Sequence, residues 1–281
     1  MTISARVPQT EAPAQNLRTA QILTVIILVL ATVATAGGLL IPNLYRDNAW
    51  IAEQNRGGDL VTLALAVPAL MVSLVGVRRG SARATLAWVG LLGYMLYTYV
   101  GAAFAYSFNI FFLIYVALFS CSVFALITGL ANVDVTALKQ KFDAGTPRKS
   151  VITFLVVVGL ALTAMWLGQI MPFLTAGKLP ELIVKGETPT NFVYVMDLGI
   201  IVPLSFLSAY LLGRRAPWGY LLSGCVMIKA AAMGLALLSM SLFSWLAGTL
   251  TPEGIQLTYI WVVLAVSSLT MSVWFFRHCR G

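Results

Sequence analysis

Asp197 and Lys229 are ionisable residues that the sequence places deep inside long apolar runs. An ionisable group at membrane depth costs roughly several kcal/mol and usually faces a partner or a water-filled cavity. At about 1.5 Å per residue from Arg214-Arg215, Lys229 lies about 21 Å and Asp197 about 25 Å above the same end of two antiparallel helices. We therefore expect the two side chains to pair. The pair would form a proton- or ion-coupled site, an anchor for an anionic substrate, or a static ion pair that only fixes packing.

Three further residues are candidates for binding a substrate or an ion. Asp59 directly follows Gly57 and Gly58, and we expect it to cap the N-terminus of the second helix. The alternative is that Asp59 accepts a cation or a proton at the mouth of a pathway. The spacing of Tyr94 and Tyr97 puts both on one face of the third helix, where they serve either interhelical hydrogen bonding or substrate binding.

Pro68 and Pro203 each follow an aspartate and precede an arginine pair within an apolar run. A proline inside a helix removes a backbone hydrogen bond and frees a carbonyl group. The sequence therefore predicts a kink or hinge at each proline. Interrupted helices at corresponding places in two halves of a membrane protein point to a binding site between the halves.

The sequence contains no residue pattern typical of catalysis or of metal binding. Its one histidine, His278, lies near the C-terminus, so neither a Ser–His–Asp set nor a bis-histidine haem site can form. The three cysteines, Cys121, Cys225 and Cys279, have neither metal-ligand nor redox spacing. We therefore predict no catalytic residue, no metal site and no cofactor.

The composition indicates what kind of protein positions these residues. Of the 281 residues, 59% are hydrophobic and only 10% are charged, and the mean hydropathy is +0.89. A soluble domain carries roughly 25% charged residues, so a soluble enzyme, a nucleic-acid binder and a disordered protein are excluded. The net charge of +8 is then best explained by Lys and Arg held on one side of a membrane. The chain is expected to be an all-α integral membrane protein.

Eight apolar runs are long enough to cross a hydrocarbon core of about 30 Å, for which a helix needs roughly 20 residues. Helices are favoured over strands because the runs are continuous and lipid requires an internally satisfied backbone. The predicted spans cover residues 20–41, 59–77, 84–106, 109–131, 151–172, 191–213, 217–246 and 257–276.

The distribution of basic residues predicts the orientation of these spans. One side of the predicted bundle holds Arg6, Arg18, Arg78, Arg79, Arg83, Lys139, Lys141, Arg148, Lys149, Arg214, Arg215, Arg277 and Arg280; the other holds only Arg46, Arg56, Lys178 and Lys185. Because cytoplasmic loops carry the excess of Lys and Arg, we predict that both termini are in the cytoplasm and that the membrane is the cell membrane. An alternative for the first span is a cleaved secretory signal, since Ala34-Thr35-Ala36 resembles a cleavage site. The apolar run continues through Ile41, beyond a signal core.

The second half of the sequence repeats the order of features found in the first. Leu40-Ile41-Pro42 matches Ile170-Met171-Pro172, Asp59-Leu60 matches Asp197-Leu198, and Pro68 with Arg78-Arg79 matches Pro203 with Arg214-Arg215. Four spans per unit is an even number, so the two repeats would have the same orientation in the membrane. The predicted organisation is a cytoplasmic tail (1–19), a four-helix repeat (20–132), a basic cytoplasmic linker (133–150) and a second four-helix repeat (151–281).

Three segments carry a resemblance to a known group of proteins. They are W-I-x-x-Q…D-L-x-T-L…P from Trp50 to Pro68, N-x-F-F-L-I-Y-V-A-L-F from Asn109 to Phe119, and D-L…V-P…R-R-x-P-W-G-Y from Asp197 to Tyr220. In this order the chain resembles a group of uncharacterised bacterial polytopic membrane proteins with a duplicated four-helix unit. The resemblance covers most of the chain and implies the architecture, but it supplies no catalytic residue.

Three functional classes fit these features. The first is a small-solute or proton-coupled transporter or channel, with Asp59, Asp197 and Lys229 along a pathway between the repeats. The second is a structural or accessory membrane protein with a static ion pair, and the third is a membrane enzyme acting on a lipid or quinone. The expected partners are the lipid bilayer and a small solute or ion, without nucleic acid, and the oligomeric state stays open.

Overall fold

A computed structural model describes residues 17–280, and these fold into a bundle of eight long helices. The helices are α1 (Arg18–Leu40), α2 (Ala49–Arg78), α3 (Ala82–Phe104), α4 (Phe112–Asn132), α5 (Arg148–Ala176), α6 (Phe192–Gly213), α7 (Pro217–Leu246) and α8 (Pro252–Arg277). All eight are long and apolar enough to span a membrane, and residues 17–280 contain no β-strand. The all-α, multi-pass prediction is confirmed. Most of the predicted tail (1–19), with Arg6, lies outside the described residues.

One end of the bundle, which we call the arginine end, holds the turn between α2 and α3, the turn between α6 and α7, and the linker between α4 and α5. Arg83 at the start of α3 donates to the carbonyl oxygen of Cys279 over 2.5 Å. In the linker, Asp143 lies 2.9 Å from the ring of His278. These contacts bring the end of α8 to the same place, and the Gly80 and Arg215 backbones turn there with positive φ. The linker also contains a short helix, Val135–Gln140, capped by Asp134.

The second helix begins ten residues before the sequence predicts. It starts at Ala49, because Asn48 caps it by accepting a hydrogen bond from the Ile51 amide over 3.0 Å. The expectation that Asp59 caps this helix is therefore wrong, since Asp59 lies within it. The residues that precede Asp59 are too polar to be recognised from the sequence as part of a membrane span. They are helical nevertheless, because they pack against α7. Gly57 makes this contact possible: a Cβ there would lie 2.7 Å from the Met240 backbone.

Each of the two predicted hinge prolines lies two residues after the end of a π-helical turn. These turns are Thr62–Ala66 in α2 and Asp197–Ile201 in α6. In each, the next amide, of Val67 or Val202, bonds five residues back to the carbonyl oxygen of Thr62 or Asp197. Pro68 and Pro203 then begin an ordinary α-helical segment, where a missing amide hydrogen is tolerated. The interruptions that were predicted from the prolines are thus wider helical turns, a feature often found at functional sites.

Helices α3 and α7 form the centre of the bundle and are its most buried spans. They approach closely because Gly90 leaves room for Ile228 and Gly224 leaves room for Leu86. Around this pair the two sets of four helices are packed differently. Helix α1 packs closely along α4, whereas α5 and α8 barely touch. The seam between α5 and α8 is therefore not closed by helix packing.

Candidate binding cavity

A cavity of about 280 Å³ lies beside α7, between α2 and α3 on one side and α5, α6 and α8 on the other. Most of its lining is apolar, including Leu162 of α5, Met233 of α7 and Trp261 of α8. The polar lining includes Asp59, Tyr94, Tyr97, Asp197 and Lys229, together with uncharged side chains such as Gln54, Asn55 and Ser241. The structure therefore brings all five residues that the sequence selected as binding candidates to one cavity.

Asp197 is the first residue of the π-helical turn in α6, and its carboxylate is held by two donors. The Tyr97 hydroxyl donates to Oδ1 over 3.0 Å, and the Trp166 indole N–H donates to Oδ2 over 2.8 Å. Both donors are buried, and Asp197 itself is 6% exposed. Hydrogen bonds of this kind stabilise a carboxylate away from water and fix its orientation. One donor comes from α3 and the other from α5, so Asp197 ties three helices together.

Lys229 lies in the middle of α7 and is 8% exposed. Its ammonium nitrogen stands 3.7 Å from the centre of the Tyr97 ring, within the range of a cation–π contact. The expected direct pair with Asp197 is not made: among residues 17–280, no carboxylate oxygen lies within 4.0 Å of Lys229 Nζ. Tyr97 contacts both charges instead. Its ring contacts the lysine, and its hydroxyl contacts the aspartate.

Helices α2 and α3 make an uncharged contact at the other π-helical turn. Thr62 is the first residue of the π-helical turn in α2, as Asp197 is in α6. The Thr62 hydroxyl lies 2.8 Å from the Tyr94 hydroxyl, and both side chains are buried. Tyr94 stands on α3, which enters the bundle from the same end as α7. By its place in a π-helical turn Asp197 matches Thr62, whereas the order of residues in the sequence matched Asp197 with Asp59.

Asp59 connects the cavity to a second pocket at the end of the bundle opposite the arginine end. Its carboxylate is hydrogen-bonded to the hydroxyl of Tyr45, which follows α1. Tyr45 lines a pocket of about 340 Å³ together with Glu53 and Arg56. Gly38 of α1 makes room for this contact, since a Cβ there would collide with both Asp59 and the Tyr45 hydroxyl. The Tyr45 pKa is raised above its ordinary value by burial and by the Asp59 carboxylate.

Short segments cover the cavity at the end opposite the arginine end. Glu181–Gly186 forms a short helix between α5 and α6, and its residues Leu182 and Gly186 line the cavity. Asn48 anchors this segment by donating to the carbonyl oxygen of Lys185 over 2.7 Å. The cavity is therefore covered at this end by the segment between α5 and α6, which is held by Asn48 just before α2.

Two residues of this arrangement, Trp166 and Tyr45, were not selected from the sequence. Trp166 lies in an otherwise apolar helix, and no spacing pattern distinguishes it. Its indole N–H needs an acceptor when it is buried, but the sequence does not show which residue accepts. Tyr45 lies in a loop between spans, where spacing carries no information. Each is identified by its contact with a carboxylate.

The fold and the cavity define the class of protein: an integral membrane protein with eight spanning helices and a polar site buried among them. Within residues 17–280, no group of three or more His, Cys, Asp or Glu side chains is arranged to hold a metal ion. Comparisons with protein-family models, with curated proteins and with solved structures gave no match.

Proposed function

We propose that this protein is a proton-coupled transporter of a small solute in the cell membrane. The observation that carries the proposal is a pair of opposite charges in the cavity lining that both contact Tyr97 but do not contact each other. A pair in direct contact would neutralise itself. A separated pair can change partners, since the lysine can take a ligand and the aspartate can take a proton.

The proposal includes an architecture of two four-helix repeats in the same orientation, with both termini in the cytoplasm. The π-helical turns that precede Val67-Pro68 and Val202-Pro203 support the duplication. The excess of Lys and Arg at the arginine end supports the orientation. The site then lies between the repeats, as in transporters built from parallel repeats.

Asp59 is assigned the role of proton acceptor on the outer side. It lines the central cavity, and its partner Tyr45 lines the pocket at the outer end. A proton that reaches Asp59 from this pocket enters the same cavity that holds Asp197 and Lys229. Substrate binding by Lys229 and proton binding by Asp197 would then be coupled through Tyr97.

Proton uptake into proteoliposomes tests the proposal. Vesicles loaded with a pH-sensitive dye receive inorganic phosphate, succinate or decyl phosphate outside, under a potassium-diffusion potential. We expect faster internal acidification with the protein than in protein-free vesicles, and a loss of that increment in Asp197→Asn and Lys229→Met. Lys149→Met, which removes an exposed lysine at the arginine end, serves as the matched control. Equal rates in wild type, both variants and protein-free vesicles would contradict transport.

A membrane enzyme acting on a lipid or quinone is the second candidate, and the loose seam between α5 and α8 favours it because a lipid could reach the cavity sideways. Such an enzyme would convert lipid in nanodiscs, where no transport is possible. The accessory alternative, which depended on a static ion pair, lacks the direct contact between Asp197 and Lys229.

A further inference from the structure

The cavity joins an isolated cation to apolar walls. Lys229 supplies an ammonium group that is more than nine-tenths buried and has no carboxylate within 4.0 Å among residues 17–280. The Asp197 oxygens, the nearest opposite charge along the network, are both engaged by donors from Tyr97 and Trp166. A buried ammonium group of this kind requires an acceptor, and an oxyanion is the acceptor that compensates its charge.

The apolar walls of the cavity that holds this cation fit a hydrocarbon chain. They are formed by Val158 and Leu162 of α5 and by Leu257, Trp261 and Leu264 of α8. None of these side chains can donate to or accept from a polar solute except the Trp261 indole. A fully polar solute would leave its own groups unsatisfied along these walls, whereas an alkyl chain would be stabilised by burial.

The seam between α5 and α8 connects these walls to the lipid. Both helices line the cavity but barely touch each other. Their outer surfaces carry exposed apolar side chains, such as Leu160 of α5 and Val263 of α8, which would lie in hydrocarbon. The corresponding pair in the other half, α1 and α4, is closely packed. Only one of these two seams is therefore available as an entrance.

We infer that the cavity takes a single-chain amphiphile with an oxyanion head group, which binds Lys229 while its alkyl tail lies between α5 and α8. This inference rests on the proposed function in that it takes the cavity as the substrate site. The amphiphile enters sideways from the membrane. The head group is a carboxylate or a phosphate, since Lys229 can donate a hydrogen bond to the oxygen atoms of either one.

Ligand-induced thermal stabilisation of the full chain in phosphatidylcholine nanodiscs tests the inference. The probes are decanoate, decyl phosphate, decanol, acetate and inorganic phosphate. We expect decanoate or decyl phosphate to raise the unfolding temperature, with the larger rise identifying the head group. Decanol lacks the charge, and acetate and phosphate lack the tail, so none of these three should reproduce the effect.

Two variant pairs locate the binding. Lys229→Met should weaken binding of the active amphiphile about tenfold or more, since a charged hydrogen bond is lost, while Lys149→Met should leave it unchanged. Leu162→Trp places bulk between α5 and α8 and should weaken binding as well. Leu160→Trp, on the lipid-facing surface of the same helix, should not. If Lys229→Met does not fold, Lys229→Arg replaces it and should retain binding, because the charge is kept.

The outcomes separate this inference from transport. Equal stabilisation by decanol overturns the oxyanion, equal stabilisation by acetate or inorganic phosphate overturns the tail, and no stabilisation by any probe overturns both. Stabilisation by decanoate that depends on Lys229 and Leu162, together with absent proton uptake in proteoliposomes, would uphold the ligand class and remove the transporter. Proton uptake without stabilisation would do the reverse.

Discussion

Tyr97 is the residue on which the proposed coupling depends. It donates a hydrogen bond to Asp197 and presents its ring to Lys229, so it contacts both charges of the site. A change in either charge alters the field at the same aromatic ring. The two functions of the side chain can be separated, because phenylalanine keeps the ring and lacks the hydroxyl.

Tyr97→Phe should lower the free energy of unfolding by about 1.5–3 kcal/mol, since it removes a buried hydrogen bond to a charged group. Thermal unfolding in detergent measures this loss. Proton uptake should fall in the same variant, because Asp197 is no longer linked to the ring that contacts Lys229. Tyr259→Phe, which removes an exposed hydroxyl of α8, is the control. If Tyr97→Phe behaves like Tyr259→Phe in both measurements, Tyr97 does not connect the charges.

The sequence located the five candidate residues but not their contacts. Asp197 and Lys229 are visible because a charge inside an apolar run is rare, and counting along helices gives their heights. Counting does not give the rotation of one helix against another, and this rotation puts Tyr97 in contact with both charges. The prediction that Asp59 caps a helix was wrong for a different reason: the Gly57-Gly58 pair resembles the boundary of a helix. The two glycines serve instead as contact points within it.

At the scale of the helices, small residues determine how closely the spans approach. Gly57 of α2 and Gly234 of α7 both face the backbone of a neighbour: a Cβ at Gly57 would lie 2.7 Å from Met240 Cα, and one at Gly234 would lie 2.8 Å from Ala265 Cα. Helix association in membranes depends on such close packing, because apolar side chains gain nothing by leaving lipid. Moving α2 or α8 away from α7 would widen the cavity that lies between them.

Gly57→Ala should destabilise the protein by about 1–3 kcal/mol, because the added methyl group meets backbone that cannot rotate away. Gly168→Ala in α5 is the matched control. A Cβ there meets nothing within 4 Å, so the substitution should be neutral or slightly stabilising through helix propensity. Thermal unfolding compares the two. A loss of stability of similar size in both variants would mean that the close contact between α2 and α7 at Gly57 does not require a glycine.

The helices themselves were largely predictable, whereas their interruptions were not. Continuous apolar runs are sufficient to identify eight spans, and the turns before α3 and α7 carry visible caps and prolines, such as Ser81 and Pro217. A π-helical turn contains one residue more than an α-helical turn. The spacing of residues in the sequence does not reveal where before each proline this residue is inserted. The loose seam between α5 and α8 is also invisible in the sequence, because both helices are long apolar runs like α1 and α4.

For the whole molecule, the orientation in the membrane is the first property to test. Fusion of green fluorescent protein to either terminus should give fluorescent cells, since both termini are proposed to be cytoplasmic. Alkaline phosphatase fused after Lys178, in the segment between α5 and α6, should be active because that segment is proposed to lie outside. An active phosphatase fused to either terminus would reverse the orientation and with it the assignment of Asp59 to the outer side.

The central claim is that the protein is a proton-coupled transporter, and such a transporter must open its cavity alternately to the two sides of the membrane. A cysteine at Met233, which lines the cavity, reports this directly in a chain whose Cys121, Cys225 and Cys279 are replaced. Lys178→Cys and Arg79→Cys mark the two sides, because each should react with a charged, membrane-impermeant methanethiosulfonate from one side only.

We predict that Met233→Cys reacts with this reagent in both right-side-out and inside-out vesicles, and that Asp197→Asn slows the reaction from one side. Reaction from a single side, or from neither, would contradict alternating access and leave a binding protein without transport.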